Sequence, residues 1–132
     1  MENKSASFPN FLGINRPGWQ ELFEATPNLP EQMIILEKEA PSNQFLLDGV
    51  FITHAHIGHY AGLIYFGREV MGSKRIPLYL MPEMENFIRS NGPWSQLVKL
   101  RNVEIKQLKA NKSIELSNVA ITPFLVPHRD EF

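Results

Sequence analysis

The 132-residue chain contains no cysteine, so it can form neither disulfide staples nor thiolate metal sites, and only His, Asp and Glu remain as ligands for a transition metal. It has no excess of charge of either sign. With 13 Lys and Arg against 14 Asp and Glu, the net charge is −1, and no global field draws the protein toward nucleic acid or anionic lipid. A partner therefore has to be argued from a local site, and a small-molecule substrate is the expected kind. Long apolar runs are missing too: a stretch such as Met33 to Leu36 falls far short of a membrane span. The opening MENKSASFPNF lacks the apolar segment of a secretory signal, which makes the cytoplasm the expected compartment, although a removed signal peptide would leave no trace. Internal repeats and low-complexity tracts are absent as well. What is present is ordinary globular material, 43% hydrophobic and 20% charged, with the length of one modest domain.

Residues 1–20 are rich in Asn, Ser, Pro and Gly, with a turn expected at Arg16-Pro17-Gly18, and read as an irregular arm ahead of a domain over 21–132. ELFEAT, Glu21 to Thr26, alternates at period two and predicts a strand with one buried face. Asn28-Leu29-Pro30 supplies helix-start chemistry, and Leu29, Met33 and Leu36 share one face of a helix running to about Ala40. GVFIT, Gly49 to Thr53, is a short β-rich run. From His59 the apolar spacing turns helical, with Leu63, Phe66 and Val70 along one side and Gly72 as the stop. Ile76 to Met81 predicts a strand, Pro82 to Arg89 a helix closed by Asn91-Gly92, and Trp94 to Leu100 a further helical turn or two. Val103 to Leu108, Ser113 to Leu116 and Val119 to Val126 are three strand candidates in succession. This order suits an α/β or α+β arrangement with helices packed on one face of a mixed sheet.

All four histidines lie in two places, His54, His56 and His59 in THAHIGHYAGL and His128 in VPHRDEF. If the chain stays extended past Thr53, His54 and His56 point to the same side, because side-chain direction repeats every two residues. A turn at Gly58 then returns His59 toward the same point. Convergence of three imidazoles to about 2.0–2.1 Å from one ion is what a zinc site requires. A lone histidine near a strand end is ordinarily a hydrogen-bonded structural residue, but three within six positions favour a ligand cluster. His128 follows a predicted strand and Pro127, which places it too at a strand end, where loops present functional groups. Asp48 either orients a ligand imidazole or caps the strand, and Asp130 and Glu131 are either a nearby base or solvated loop charges. Tyr60 and Tyr65 flank the motif, with Tyr60 facing either the site or the core. Trp19 and Trp94 read as packing anchors. Lys99, Arg101, Lys106, Lys109 and Lys112, interrupted by acids, read as a solvated surface.

The segment LDGVFITHAHIGHYAGL resembles the metal-binding stretch of the metallo-β-lactamase superfamily, His-x-His-x-Asp-His at a strand end. Together with NGPWSQL at 91–97 and VPHRDEF, it is most similar to the metal-dependent hydrolases related to pyrroloquinoline quinone biosynthesis protein B, over about residues 20–132. The resemblance implies an αββα sandwich of which this chain is the first half. A missing C-terminal half or a second chain is then expected to complete it. It also implies that His54, His56 and His128 hold a first metal, and that His59 remains from a second site, because Gly58 stands where the superfamily has Asp. The activity implied is hydrolysis by a metal-activated water, with Zn2+ as the ion. Two other classes stay open: an iron-dependent (Fe2+) oxidative step in pyrroloquinoline quinone biosynthesis, and a non-catalytic metal-binding relic.

Overall fold

The computed structural model of the protein describes residues 12–16, 19–39, 47–116 and 119–129. Its main body is a five-stranded sheet in the order β1-β2-β3-β4-β5. The strands are β1 (Leu12–Arg16), β2 (Trp19–Phe23), β3 (Gly49–Phe51), β4 (Ile76–Leu80) and β5 (Val103–Gln107). β1 runs antiparallel to β2, and the other three pairings are parallel. Parallel neighbours require crossovers. Those crossovers are α1 (Leu29–Glu39), then α2 (Ile57–Tyr60) continuing into a 3-10 helix (Ala61–Phe66), then α3 (Pro82–Ser90) with α4 (Trp94–Lys99). Because parallel crossovers share one hand, strands laid down in sequence order carry all their helices on the same side.

The register identifies that side. Leu22, Val50, Leu78 and Ile105 stand opposite one another across β2 to β5. The first three are fully buried, in a core with Leu29, Leu36, Leu63, Phe66, Met84, Ile88 and Leu97 from the helices. The next row, one residue on, faces the other way. There Phe23, Phe51 and Tyr79 stack ring on ring at 4.7 and 4.4 Å between centroids. The expected mixed sheet with helices on one face is the observed arrangement.

A separate antiparallel pair, β6 (Ile114–Leu116) and β7 (Val119–Ile121), follows β5. Beyond it the chain is irregular to Arg129 and almost wholly exposed. The strand expected to run through Val126 therefore stops at Ile121, and His128 sits seven residues past a strand rather than at its end. Backbone and side-chain bonds still tether the start of this segment, from Asn111 N to Pro123 O at 2.7 Å and between the Ser113 and Thr122 hydroxyls at 2.6 Å.

Two other expectations need correction. Residues 12–16, read as part of an irregular arm, form β1, whose bonds come from pairing with β2. Residues 1–11 and the turn expected at Pro17-Gly18 lie outside the described residues. The helix expected from His59 to Gly72 ends at Phe66, because Gly67 is extended at ψ 166°. Leu63 and Phe66 are buried as expected, three residues apart on a 3-10 helix, but Val70 is 62% exposed. Tyr60 belongs to the core, 6% exposed, with its ring edge-on to Phe87 and Trp94. No helix among the described residues is long and apolar enough to cross a membrane.

Candidate metal centre

In an open parallel sheet the carboxyl ends of adjacent strands open onto one crevice, and side chains just past those ends meet there. Here that edge carries Glu24 immediately after β2 and Thr53, His54 and His56 just after β3. Beyond Thr53 the chain bends at Ala55 and is extended again at His56, at φ −87° and ψ 131°, before α2 begins. The first helical turn then folds His59 back, its N–H bonding the His56 carbonyl at 2.8 Å. Two further backbone bonds fix this turn against the segment after β2: Ala25 N–H donates to His59 O at 3.0 Å, and Gly62 N–H to Ala25 O at 2.8 Å. Gly62 is required there, because a Cβ would lie 2.0 Å from the Thr26 carbonyl oxygen.

The four imidazoles converge. The His54 ring centroid lies 4.6 Å from that of His56, 4.1 Å from His59 and 4.7 Å from His128. His128 Nε2 is 3.1 Å from His56 Nδ1, across 72 residues of sequence. Ligand atoms from His54, His56 and His128 lie within 4.8 Å of one another, and so do those from Glu24, His54 and His59. His54 Nε2 and His59 Nδ1 are buried without a hydrogen-bond partner. Buried polar nitrogens left unpaired are costly and uncommon. An all-imidazole and carboxylate donor set with unpaired inner nitrogens fits a divalent transition metal.

Glu24 is the residue that the sequence reading missed. It is 4% exposed and adopts φ 70°, the left-handed region that a non-glycine residue seldom occupies. The surroundings hold it there. Its N–H donates to Phe51 O at 2.8 Å and its carbonyl accepts Gln32 Nε2 at 3.1 Å, while Gln32 Oε1 takes both the N–H and the hydroxyl of Thr26 at 3.0 Å. Its carboxylate accepts the Thr53 hydroxyl and, at 3.2 Å, the Thr53 N–H. The other oxygen, Oε2, stands 3.5 Å from His59 Nδ1. Attention to carboxylates near the histidines in sequence could not find it, because only parallel pairing sets the end of β2 beside the end of β3.

Burial raises the Glu24 carboxyl from 4.5 to about 7, against the lowering effect of the two Thr53 bonds. Burial likewise pushes His54 down to about 4, helped by repulsion from His59, His56, His128 and Arg129, and it lowers His59. The approach of Glu24 to His59 is therefore not an ion pair in the metal-free protein. Both rings are neutral near pH 7 and keep a lone pair for a cation.

Other expected site residues are placed elsewhere. Asp48 turns away from the histidines and accepts the Gln20 N–H at 2.6 Å, so it ties the entry of β3 to β2. Asp130 and Glu131 lie outside the described residues. Gly58 is exposed, with nothing within 4 Å of where a Cβ would stand.

Among solved structures, zinc-bound PqqB from Methylobacterium extorquens superposes with a TM-score of 0.69 at 20% identity, covering 87% of this chain and 38% of that one. A diphosphatase of the PhnP family gives 0.61 at 21% identity, covering 86% and 41%. The FEZ-1 metallo-β-lactamase from Legionella gormanii gives 0.58 at 18%, covering 87% and 45%. The chain thus spans less than half the length of each, as a truncated αββα fold does. No curated protein sequence matches significantly. Residues 22–132 match the beta-lactamase superfamily domain, and with the sheet order and strand-edge histidines already described, the chain belongs to that family.

Proposed function

We propose that this chain is the metal-binding half of a metal-dependent hydrolase, with His54, His56 and His128 holding a divalent cation and His59 flanking it. The observation that carries this reading is the meeting of His128 with His54 and His56 from a segment 72 residues away, around a His54 Nε2 that has no other partner. A cation held there supplies Lewis acidity, lowering the pKa of water toward about 7 and polarising a carbonyl or phosphoryl oxygen. The protein's own part is to present neutral nitrogens from a rigid strand edge. Burial of His54 Nε2 and His59 Nδ1 excludes competing water on the inner side, and the exposed His128 side admits a small-molecule substrate. The zinc-bound neighbour favours Zn2+, and the diphosphatase and β-lactamase neighbours favour hydrolytic chemistry. Full activity belongs to the completed sandwich, with the second half supplied by a longer chain or by another chain.

The test is elemental analysis of protein purified without added metal, alongside His56→Ala. Near-stoichiometric zinc in the parent and a large loss in the variant are expected, and equal metal content in the two sinks the reading. An iron-dependent oxidative step is the alternative reading for the same histidine set. Iron in that analysis, with oxygen-dependent turnover, selects it over hydrolysis.

A further inference from the structure

The opposite end of the sheet carries a second concave feature, built from residues that the metal reading does not use. β5 is the last strand, and its open flank beside α3 and α4 borders a cavity of about 290 Å³. Val98 of α4 with Val103 and Ile105 of β5 give it an apolar wall, and Arg75, Arg89 and Arg101 surround it together with Glu104. Arg75 and Arg101 lie at the amino ends of β4 and β5, whereas the histidines lie past the carboxyl end of β3. At about 3.3 Å per residue, a five-residue strand such as β4 separates the two places by about 16 Å.

Arg75 at φ 55° and Arg101 at φ 57° both occupy the left-handed region, where Gly and Asn are at ease and a long side chain is not. Their two turns are locked together. Arg75 N–H donates to Arg101 O at 2.8 Å and Ile76 N–H to Asn102 O at 3.1 Å, while the buried Asn102 donates its Nδ2 to Ser73 O at 2.9 Å. The two arginines are thus set side by side on a rigid base. Glu104 is engaged by Lys106 Nζ at 2.6 Å, and Arg89 by Glu85 at 2.8 Å. Among the described residues no carboxylate bonds the guanidinium of Arg75 or of Arg101. The Glu104 carboxyl is held below its usual range first by its bond to Lys106 and then by the fields of Arg75 and Arg101, so both cations are felt at this spot. In a chain whose net charge is −1, two positive charges are left uncompensated beside an apolar wall.

We propose that this cavity binds a small phosphate monoester, with its phosphoryl group held by Arg75 and Arg101 and its apolar substituent lying on Val98 and Ile105. A phosphate monoester carries close to two negative charges near pH 7 and three acceptor oxygens. Guanidinium groups bind such oxyanions through paired N–H donors, so two of them match one phosphoryl group in charge and in geometry. A monocarboxylate neutralises only one of the two. The need for guanidinium groups at these places also accounts for arginine at two left-handed positions that Gly or Asn would fill with less strain. The site requires neither the metal nor the hydrolase reading.

Calorimetric titration at pH 8 tests the proposal with phenylphosphonate, an analogue of a phosphate ester that has no ester bond to hydrolyse, and with inorganic phosphate and benzoate beside it. The protein as purified is compared with His56→Ala, which removes a proposed metal ligand. Saturable binding of phenylphosphonate is expected, with the same affinity in both proteins. Inorganic phosphate, which lacks the apolar body, is expected to bind several-fold more weakly, and benzoate, which lacks the second charge, about tenfold more weakly or less well still. Arg75→Asn and Arg101→Asn are each expected to weaken phenylphosphonate about tenfold or more, the worth of one charge-assisted contact. Their melting temperatures should hold or rise, because Asn accepts the left-handed backbone more readily than Arg. Glu104→Gln is expected to tighten binding, since it removes a negative charge beside the phosphoryl group. Binding that disappears in His56→Ala belongs to the histidine cluster and overturns the proposal. So does the absence of saturable binding in the parent, benzoate binding as tightly as phenylphosphonate, or parental affinity in both arginine variants. Arginine variants that melt earlier yet bind as the parent does assign these side chains to the fold instead.

Discussion

Replacing Glu24 by Gln should change how the stability of the metal-free protein depends on pH, and the size of the change follows from its burial. The carboxyl is raised from 4.5 to about 7, chiefly by desolvation. The folded state therefore binds the proton more tightly than the unfolded chain. The contribution of Glu24 to stability is fully present below pH 4.5, falls as pH rises through the window from 4.5 to 7, and is lost above it. Each tenfold change in proton affinity is worth about 1.4 kcal/mol, so the window amounts to about 3 kcal/mol as an upper bound. Gln keeps the shape and carries no charge, which abolishes this slope. It also weakens the acceptor of the two Thr53 bonds, a loss of about 1–2 kcal/mol that is nearly the same at every pH. His54 and His59 have the opposite sign: their lowered values add stability as pH rises toward 6.5. They are present in both proteins, so they largely cancel in the difference. Urea unfolding of parent and Glu24→Gln at pH 5, 6, 7 and 8 with a chelator present isolates the effect. The stability of the variant relative to the parent should rise by about 2–3 kcal/mol from pH 5 to 8. A difference that stays flat within about 0.5 kcal/mol refutes the reasoning, since the Glu24 carboxyl would then titrate alike in both states.

Further outcomes follow from the packing. Gly62→Ala places a Cβ 2.0 Å from Thr26 O and 2.9 Å from Ala25 O, both backbone atoms that cannot move aside. A loss of about 3 kcal/mol or more is expected in chemical unfolding, or insoluble protein. Gly58→Asp meets nothing within 4 Å and should keep the melting temperature within a few degrees. It restores a carboxylate to the histidine motif, and calorimetric titration should then show a second zinc equivalent that the parent lacks. Gln32→Met fills the same space but strands the Glu24 carbonyl and the Thr26 N–H and hydroxyl, at an expected cost of about 2–4 kcal/mol in thermal or urea unfolding.

The extent to which sequence alone revealed the fold depended on whether each element's reason lay within itself. Helix α1 was legible because Pro30 and the spacing of Leu29, Met33 and Leu36 are local facts, and α3 because Pro82 opens it. β4 was legible from Ile76, Leu78 and Leu80, alternate residues that are all buried. β1 was not, because Leu12 and Ile14 are set among Gly, Asn and Arg, and its bonds come from β2. Val70 continued a helical spacing that Gly67 interrupts, a backbone choice that apolar periodicity does not report. The same distinction applies at the site. The spacing of His54, His56 and His59 already pointed to convergence, although the bend at Ala55 between the first two was not foreseen. His128 was singled out by likeness rather than spacing, and its seat beside His56 comes from the path of the irregular segment 122–129, within which no local pattern operates.

By itself, then, the chain determined helices α1 and α3, the buried alternation of β4, the exclusion of thiolate chemistry and the local clustering of three imidazoles. Tertiary structure alone decided that Glu24 joins them, that Asp48 and Tyr60 do not, and that His128 closes the ring. The physical reason is that parallel pairing brings strand ends from distant parts of the chain to one edge. Which carboxylate lies beside which imidazole there is set by register and burial, which no local run of residues encodes.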